Sequence, residues 1–256
     1  VVQYPRQIGA GFHEIIDVLR MTMYTFKDNG GKPEKRPIPD DEKAKAEELH
    51  KELIETIASN DETLMEKYFD KGELDEDEMK YGMKKAMINH DLFPVFCLSA
   101  ERNMGSGRLM GFIDNVCPSA NEMPPQITKS REKLPCDASG PACIFIYKTI
   151  SESHIGEMSF FKVYSGTIKS GMELENETTG ATEKINQLFL IEGNKRTPIN
   201  ELVAGDIGAT LKLKNTHVNN TLHAKGKNYD LPSIEFPLSN MTVAIELNKK
   251  GEEEKL

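Results

Sequence analysis

Met158-Ser159-Phe160-Phe161-Lys162-Val163-Tyr164-Ser165-Gly166 is followed, a few residues on, by Gly171 and then Met172-Glu173-Leu174-Glu175-Asn176. Two short apolar or aromatic runs are thus separated by glycines, the composition of strands joined by tight turns. The same pattern extends outward. Gly156, Gly180, Gly193, Gly205 and Gly208 punctuate the region after Gly140 at intervals near ten residues, and residues 142–148, 184–191 and 207–213 complete a set of five expected strands with 158–164 and 172–176. Many short strands with turn chemistry between them predict an all-β barrel or sandwich. Beyond a polar connector, residues 234–247 are expected as one further strand, the start of a third domain.

Upstream the character differs. Residues 118–140 are rich in proline and glycine and are expected as a linker over 119–139. Before them, Leu92-Phe93-Pro94-Val95-Phe96-Cys97-Leu98 is a nearly continuous apolar run of strand length, expected as a buried strand. It opens into a polar loop from Ser99 to Gly107, and Leu109, Met110, Phe112, Ile113 and Val116 then repeat at helical spacing. Strand, loop and helix in that order form an α/β element, whose loop lies where such sheets place ligands. Residues 20–26 alternate and run into Asp28-Asn29-Gly30-Gly31, a hairpin signal. Three helices are expected next: about 42–58 with Asp40 and Asp41 as N-cap candidates, one after the capping-box spacing Ser59-Asn60-Asp61-Glu62 and ended by Gly72, and one opened by Asp75 to Glu78 that stops near Asn89. Met79, Met83 and Met87 at helical spacing are expected as core.

At 256 residues, with 38% hydrophobic and 29% charged residues and no Trp, the chain is long enough for about two cored domains. No run approaches the roughly 18 apolar residues of a spanning helix, and Val1-Val2-Gln3-Tyr4-Pro5 has no signal-peptide character, so a cytoplasmic, membrane-free protein is expected. Cys97, Cys117, Cys136 and Cys143 match neither a zinc knuckle nor a dense disulfide framework and are expected as reduced thiols. The net charge is −9, yet residues 40–78 alone carry 16 Asp and Glu against 5 Lys, or −11, leaving +2 elsewhere. A nucleic-acid contact outside that segment stays open, and the acidic segment is either a solvated helix face or a surface for a basic partner.

No GxSxG, HExxH or metal-spaced His and Cys cluster occurs, so neither a catalytic centre nor a metal site is expected. The phosphate-holding GxxxxGK[ST] is absent as well. Asp28-Asn29-Gly30-Gly31 matches DxxG only formally and reads as a turn, and Asn194-Lys195-Arg196-Thr197 starts like NKxD but lacks the Asp.

Phe160-Phe161-Lys162-Val163-Tyr164-Ser165-Gly166 resembles the FxRVYSG stretch in domain II of bacterial elongation factor G, and Ala204-Gly205-Asp206-Ile207-Gly208-Ala209 resembles its AGDIxA turn. Phe12 to Leu19, Leu64 to Tyr68, and Val116 to Ser119 are similar to the same factor in the same order. The resemblance implies a piece of a larger ribosomal translocase GTPase. Residues 1–118 would be the end of an α/β GTPase domain with an α+β helical insert at about 12–90, 140–224 the all-β domain II barrel, and 234–256 the first strand of domain III. The parent factor would hydrolyse GTP on the ribosome, with GTP or GDP and Mg as cofactors, act as a monomer and promote tRNA and mRNA movement. This piece, lacking the phosphate-binding and catalytic motifs, would be inactive alone and bind none of these cofactors.

The resemblance also implies sites. Ser99-Ala100 corresponds to the last guanine-nucleotide motif, whose backbone amide at the Ala position bonds guanine O6. Glu48, Glu52 and Glu55, on the polar side of the first insert helix, would contact the large-subunit stalk protein, and domain II would touch rRNA, with Lys195 and Arg196 as phosphate contacts. Lys162 for Arg, Asn219-Asn220 for Gly-Asp and Ser239 for Pro depart from the family pattern and point to a divergent copy. Ribosome recycling in place of translocation, or a non-catalytic ribosome- or protein-binding module, are the alternatives.

Overall fold

The computed structural model describes residues 1–152 and 156–244. The chain divides between Pro124 and Pro125 into two compact units.

The N-terminal unit opens with a four-stranded antiparallel sheet of β1 (Gln3–Pro5), β2 (Glu14–Asp17), β3 (Thr22–Thr25) and β4 (Glu34–Arg36), in that spatial order. Ile16 pairs with Met23 and Ile15 with Tyr24 across β2 and β3. Successive residues of a strand point to opposite faces, so the two pairs enter different clusters. Ile16 and Met23 join the main core, while Ile15 and Tyr24 pack with Phe26 and Met104. Four helices follow: α1 (Asp40–Ala58), α2 (Glu62–Lys71), α3 (Glu76–Ile88) and α4 (Ser106–Val116). Leu53, Ile54 and Ile57 of α1, Met79 and Met83 of α3, and Phe112 and Val116 of α4 bury one face each in the main core, and the expected methionine core is observed.

The helix starts differ in detail from the sequence expectation. α1 begins at Asp40 with Pro39 as its N-cap, so Asp40, Asp41 and Glu42 occupy the first turn, where their charge complements the helix dipole. α2 is capped by Asp61, not Ser59: its carboxylate accepts from the Thr63 and Leu64 amides. The Asp75–Glu78 capping box forms in full, Gly72 ends α2 in the left-handed region, and Asn89 ends α3.

Residues 92–98 do not form a strand. Among the described residues its backbone bonds to other segments are few: the Leu92 amide donates to Ala86 O at 3.3 Å, and the Val95 carbonyl accepts from the Val2 and Gln3 amides at 3.3 and 3.2 Å. Strand composition is not sufficient where no ladder partner lies alongside, because both edges of the run then lack paired amides and carbonyls. The stretch expected as a linker is folded over its second half, where β5 (Gln126–Ile127) and β6 (Lys133–Leu134) pair and Leu134 is buried.

In the C-terminal unit, β7 (Cys143–Glu152), β8 (Gly156–Ser165), β9 (Thr167–Lys169), β10 (Glu173–Asn176), β11 (Thr182–Lys184), β12 (Leu188–Glu192), β13 (Lys195–Ile199), β14 (Glu201–Val203), β15 (Ile207–Leu211) and β16 (Thr221–His223) follow. Eight of these make an antiparallel sheet ordered β11-β10-β16-β7-β8-β15-β12-β13, with β14-β9 as a separate pair. One cluster gathers Leu174 of β10, Phe161 and Val163 of β8, Leu188 of β12, Leu202 of β14 and Leu222 of β16, so the sheet curls around a single core as a barrel. Along β8, Phe161, Val163 and Ser165 are buried while Lys162 and Tyr164 stay at the surface side, the alternation of a half-buried strand. The expected single strand 184–191 is two, β11 and β12. Ile185 between them instead pairs with the 171–172 turn, its carbonyl accepting from Gly171 and its amide donating to Met172. Of the expected strand 234–247, residues 234–244 form none, and 245–247 lie outside the described residues.

Buried polar groups in the barrel are largely satisfied internally, Ser159 Oγ on β8 being the exception among the described residues. The Glu183 carboxylate accepts from the Lys214 and Asn215 amides and the Thr216 hydroxyl. Asn219 sits at φ +74°, a left-handed position that Asn tolerates well among non-glycine residues, and Asn220 Oδ1 accepts from the His217 amide and Asn176 Nδ2.

Candidate functional site

Three sequence-predicted sites fall on three different surfaces, two in the N-terminal unit and one in the barrel. The loop from Ser99 to Gly105 is a tight turn. Ser99 and Met104 exchange backbone bonds at 2.9 and 3.0 Å, the Asn103 amide donates to Ala100 O at 3.1 Å, and the Arg102 amide donates to Ser99 Oγ at 3.4 Å. The Ala100 amide donates to no residue among those described, and Ala100 is exposed. A free main-chain donor therefore stands in a turn whose other amides are mostly engaged.

The hairpin turn after β3 holds that loop. The Gly31 amide donates to Asn103 O at 2.9 Å, and Gly30, at φ +67°, leaves no room for a Cβ against the Arg102 carbonyl. The Asp28–Gly31 segment is thus a turn, as its composition predicts, and it also braces residues 102–103. Arg102 Nη1 donates to Ala10 O at 3.3 Å from the other side. Beside Ser99 lies an open cleft of about 550 Å³ lined by Ile8, Phe12, Leu98, Glu101 and Arg102. Cys97 at its base is held neutral, burial pushing its thiol up to about 11, so it offers no nucleophile at neutral pH.

On α1, Glu48, Glu52 and Glu55 are all exposed, with Lys51 Nζ at 3.9 Å from Glu55. Their buried counterparts are Leu53, Ile54 and Ile57, so spacing alone separates the acidic face from the core face. In the barrel, Lys195 and Arg196 open β13 at the end of the β12–β13 hairpin, paired in register with Glu192 and Ile191. Lys195 Nζ lies 3.7 Å from Glu192 at an exposed position, an ion pair that solvent screens strongly.

The two barrel motifs meet. The Val163 amide donates to Asp206 O, the Gly205 amide to Val163 O and the Ala204 amide to Gly166 O, at 2.8–2.9 Å, while Asp206 Oδ2 accepts from the Val203 amide. Gly166, at φ +76°, has no room for a Cβ, which would lie 2.6 Å from the Ala142 backbone.

A buried ion pair escaped the sequence reading. Asp17, 1% exposed at its side chain, takes Arg108 Nη2 at 2.7 Å, Gln3 Nε2 at 3.0 Å and the Arg20 amide at 2.9 Å, and the Arg108 guanidinium lies 4.7 Å from the Tyr24 ring centre. A carboxylate inside the apolar run Ile15-Ile16-Asp17-Val18-Leu19 was the available signal, since such a group must be paired when buried. The described residues include no group of three His, Cys, Asp or Glu suited to a metal, and no helix long and apolar enough to cross a membrane. The four cysteines are free.

With the geometry in place, comparison with known proteins is specific for one unit. Residues 141–225, almost the whole barrel, match the family described as Elongation factor G domain 2. The complete fold is similar to a crystal structure of a protein from Thermus thermophilus, with TM-score 0.79 and 22% identity over 99% of this chain. At that identity the likeness is one of fold. The chain spans 36% of the length of that protein.

Proposed function

We propose that the chain is part of a translation elongation factor-type GTPase, the ribosomal translocase elongation factor G or a recycling copy of it. The observation that carries this reading is the family match over 141–225, supported by the meeting of the Phe160–Gly166 and Ala204–Ala209 motifs. The N-terminal unit supports it independently. Phe93 and Val95 in the run 92–98, and Met110 and Ile113 on α4, are exposed large apolar side chains. They suit a parallel strand and crossover helix that cover a GTPase sheet.

In this reading Ser99-Ala100 closes over the guanine base. The free Ala100 amide fits a carbonyl-oxygen acceptor such as O6, and the turn that presents it is braced by Gly30 and Gly31. Bound GTP supplies the phosphoanhydride whose cleavage gates rigid-body domain motion. The 256 residues include no phosphate loop, and their described part has no Mg ligand set. This chain's part is base recognition, partner contact and the rigid barrel. Lys195 and Arg196 would meet rRNA phosphates, a contact weakened by salt through counterion release.

Glu48, Glu52 and Glu55 would steer a basic stalk protein onto α1. Reversing all three to Lys is expected to slow association at low salt by roughly tenfold or more, with a smaller effect at high salt. An unchanged on-rate in stopped-flow mixing with the stalk protein would remove that assignment.

The function itself is tested by GTP hydrolysis of the native protein with and without ribosomes, with the 256-residue chain as control. Ribosome-stimulated hydrolysis by the native protein and none by the chain is the expected result. No stimulation would overturn the reading in favour of a non-catalytic binding module.

A further inference from the structure

A cavity of about 480 Å³ lies wholly within the N-terminal unit, among the β2–β3 sheet region, α1, α3 and α4. Its walls are of two kinds. Leu19, Met79, Phe96 and Phe112 line it with apolar surface, and Arg20, Lys35, Lys80 and Arg108 bring four cations to it against the carboxylates of Asp17 and Glu76. The carboxylates are already engaged: Asp17 with Arg108 at 2.7 Å, and Glu76 with Arg20 at 3.3 Å and Lys80 at 3.2 Å. Lys35 has no ion pair among the described residues, and His50 bonds Val18 O through Nδ1 at 2.8 Å. Lys80 also lies 3.4 Å from Asp77, so the unpaired positive charge beside the apolar wall is that of Lys35.

Two further observations favour an occupant. Arg108 Nε, a buried donor on a residue that lines the cavity, has no hydrogen-bond partner among the described residues, although buried polar atoms are generally paired. Gly111, in the middle of α4, lines the cavity, and a Cβ there would meet nothing within 4 Å. Glycine is a poor choice inside a helix unless close packing or a special backbone angle demands it, and neither does here. Its missing side chain widens the cavity.

We propose that this cavity binds a small organic anion, a phosphate or carboxylate carried on an apolar body. The anionic group would sit by Lys35 and Arg108, and the body against Phe96, Phe112 and the open face of Gly111. The site is distinct from Ser99-Ala100 and does not depend on the assignment of the chain to an elongation factor.

The test uses phenyl phosphate as probe, titrated into the whole chain by calorimetry and by amide chemical-shift mapping, with inorganic phosphate and phenol as controls. Saturable binding is expected, with shifts centred on α4 and β3 and each control weaker by roughly tenfold. Gly111→Leu has open space at its Cβ and improves helix propensity, so it should block the cavity and abolish binding while α4 amides keep their exchange protection. Lys35→Met, on the exposed strand β4, should weaken binding by roughly threefold or more. Inorganic phosphate binding as well as the probe, or a probe affinity indifferent to both substitutions, would reduce the effect to surface lysines and overturn the proposal. So would the lack of saturable binding, with Arg108 Nε then satisfied by water.

Discussion

The barrel and the N-terminal unit treat their apolar strand-like runs in opposite ways. In the barrel, Phe161 is fully buried, because β8 has β7 on one side and β15 on the other. In the N-terminal unit, Phe93 is 75% exposed and Met110 63%, and the run 92–98 shares backbone bonds with other described segments only through Leu92 N and Val95 O. The two runs have similar composition, so composition does not separate them. A strand exists where its neighbours are supplied, and the barrel supplies them within residues 141–225, which match a single domain family. Beyond the barrel, Phe236, Leu238 and Met241 are exposed too. Tyr229 and Leu231 still pack on Cys143 and Phe145 of β7, but the residues from Phe236 to Met241 add nothing to the barrel's core.

The sharpest way to break the comparison is Phe161→Ala. It should destabilise the barrel by about 3–5 kcal/mol, seen as loss of exchange protection in β7, β8 and β15 while the N-terminal sheet keeps its own. Equal loss in both units would show that they unfold as one.

Next in size, Arg108→Met leaves Asp17 buried without its cation and should cost the N-terminal unit about 3 kcal/mol, read from its urea midpoint. Asp17→Asn with Arg108→Met should recover part of that loss, since no bare carboxylate then remains buried.

A smaller effect sits at the edge of the same unit. Glu122 is held at about 2, below its ordinary 4.5, first by Lys84 and then by the Ser119 hydroxyl and amide. A depressed folded value means that this contribution is complete above pH 4.5 and fades as pH falls towards 2. A carboxyl NMR titration should show Glu122 low in the native chain and returning upward in Lys84→Met. A midpoint already near 4.5 in the unsubstituted chain would contradict the contact.

The smallest expected change is Phe93→Ala, within about 0.5 kcal/mol in this chain because the ring already faces solvent. Its urea midpoint should be almost unchanged, in direct contrast to Phe161→Ala.

Much of the barrel could be seen in the sequence, for a local reason. β7, β8, β10 and β15 are long enough to show alternation, and their turns use glycines at positive φ such as Gly166 and Gly205. The three-residue strands β9, β14 and β16 are too short for any period to register and are defined by their partners instead. Helix ends were partly legible. Asp75 and Glu78 stand at the reciprocal spacing and form the box, whereas Ser59 had the same spacing and lost to Asp61, which reaches two amides from two residues closer. The candidate site divides similarly: the acidic face of α1 follows from helical spacing, but the bracing of residues 102–103 by Gly30 and Gly31 links segments more than 70 residues apart and has no local signature.

In the proposed reading the run 92–98, no strand in this chain, would become one beside neighbours supplied by the native protein, whereas the barrel strands are paired within this chain. Amide hydrogen exchange, compared between the 256-residue chain and the native protein, tests that contrast directly. Fast exchange is predicted over residues 93–98 in the chain, slow exchange there in the native protein, and unchanged protection of β7 and β8 in both. Equal exchange over 93–98 in the two proteins would contradict it.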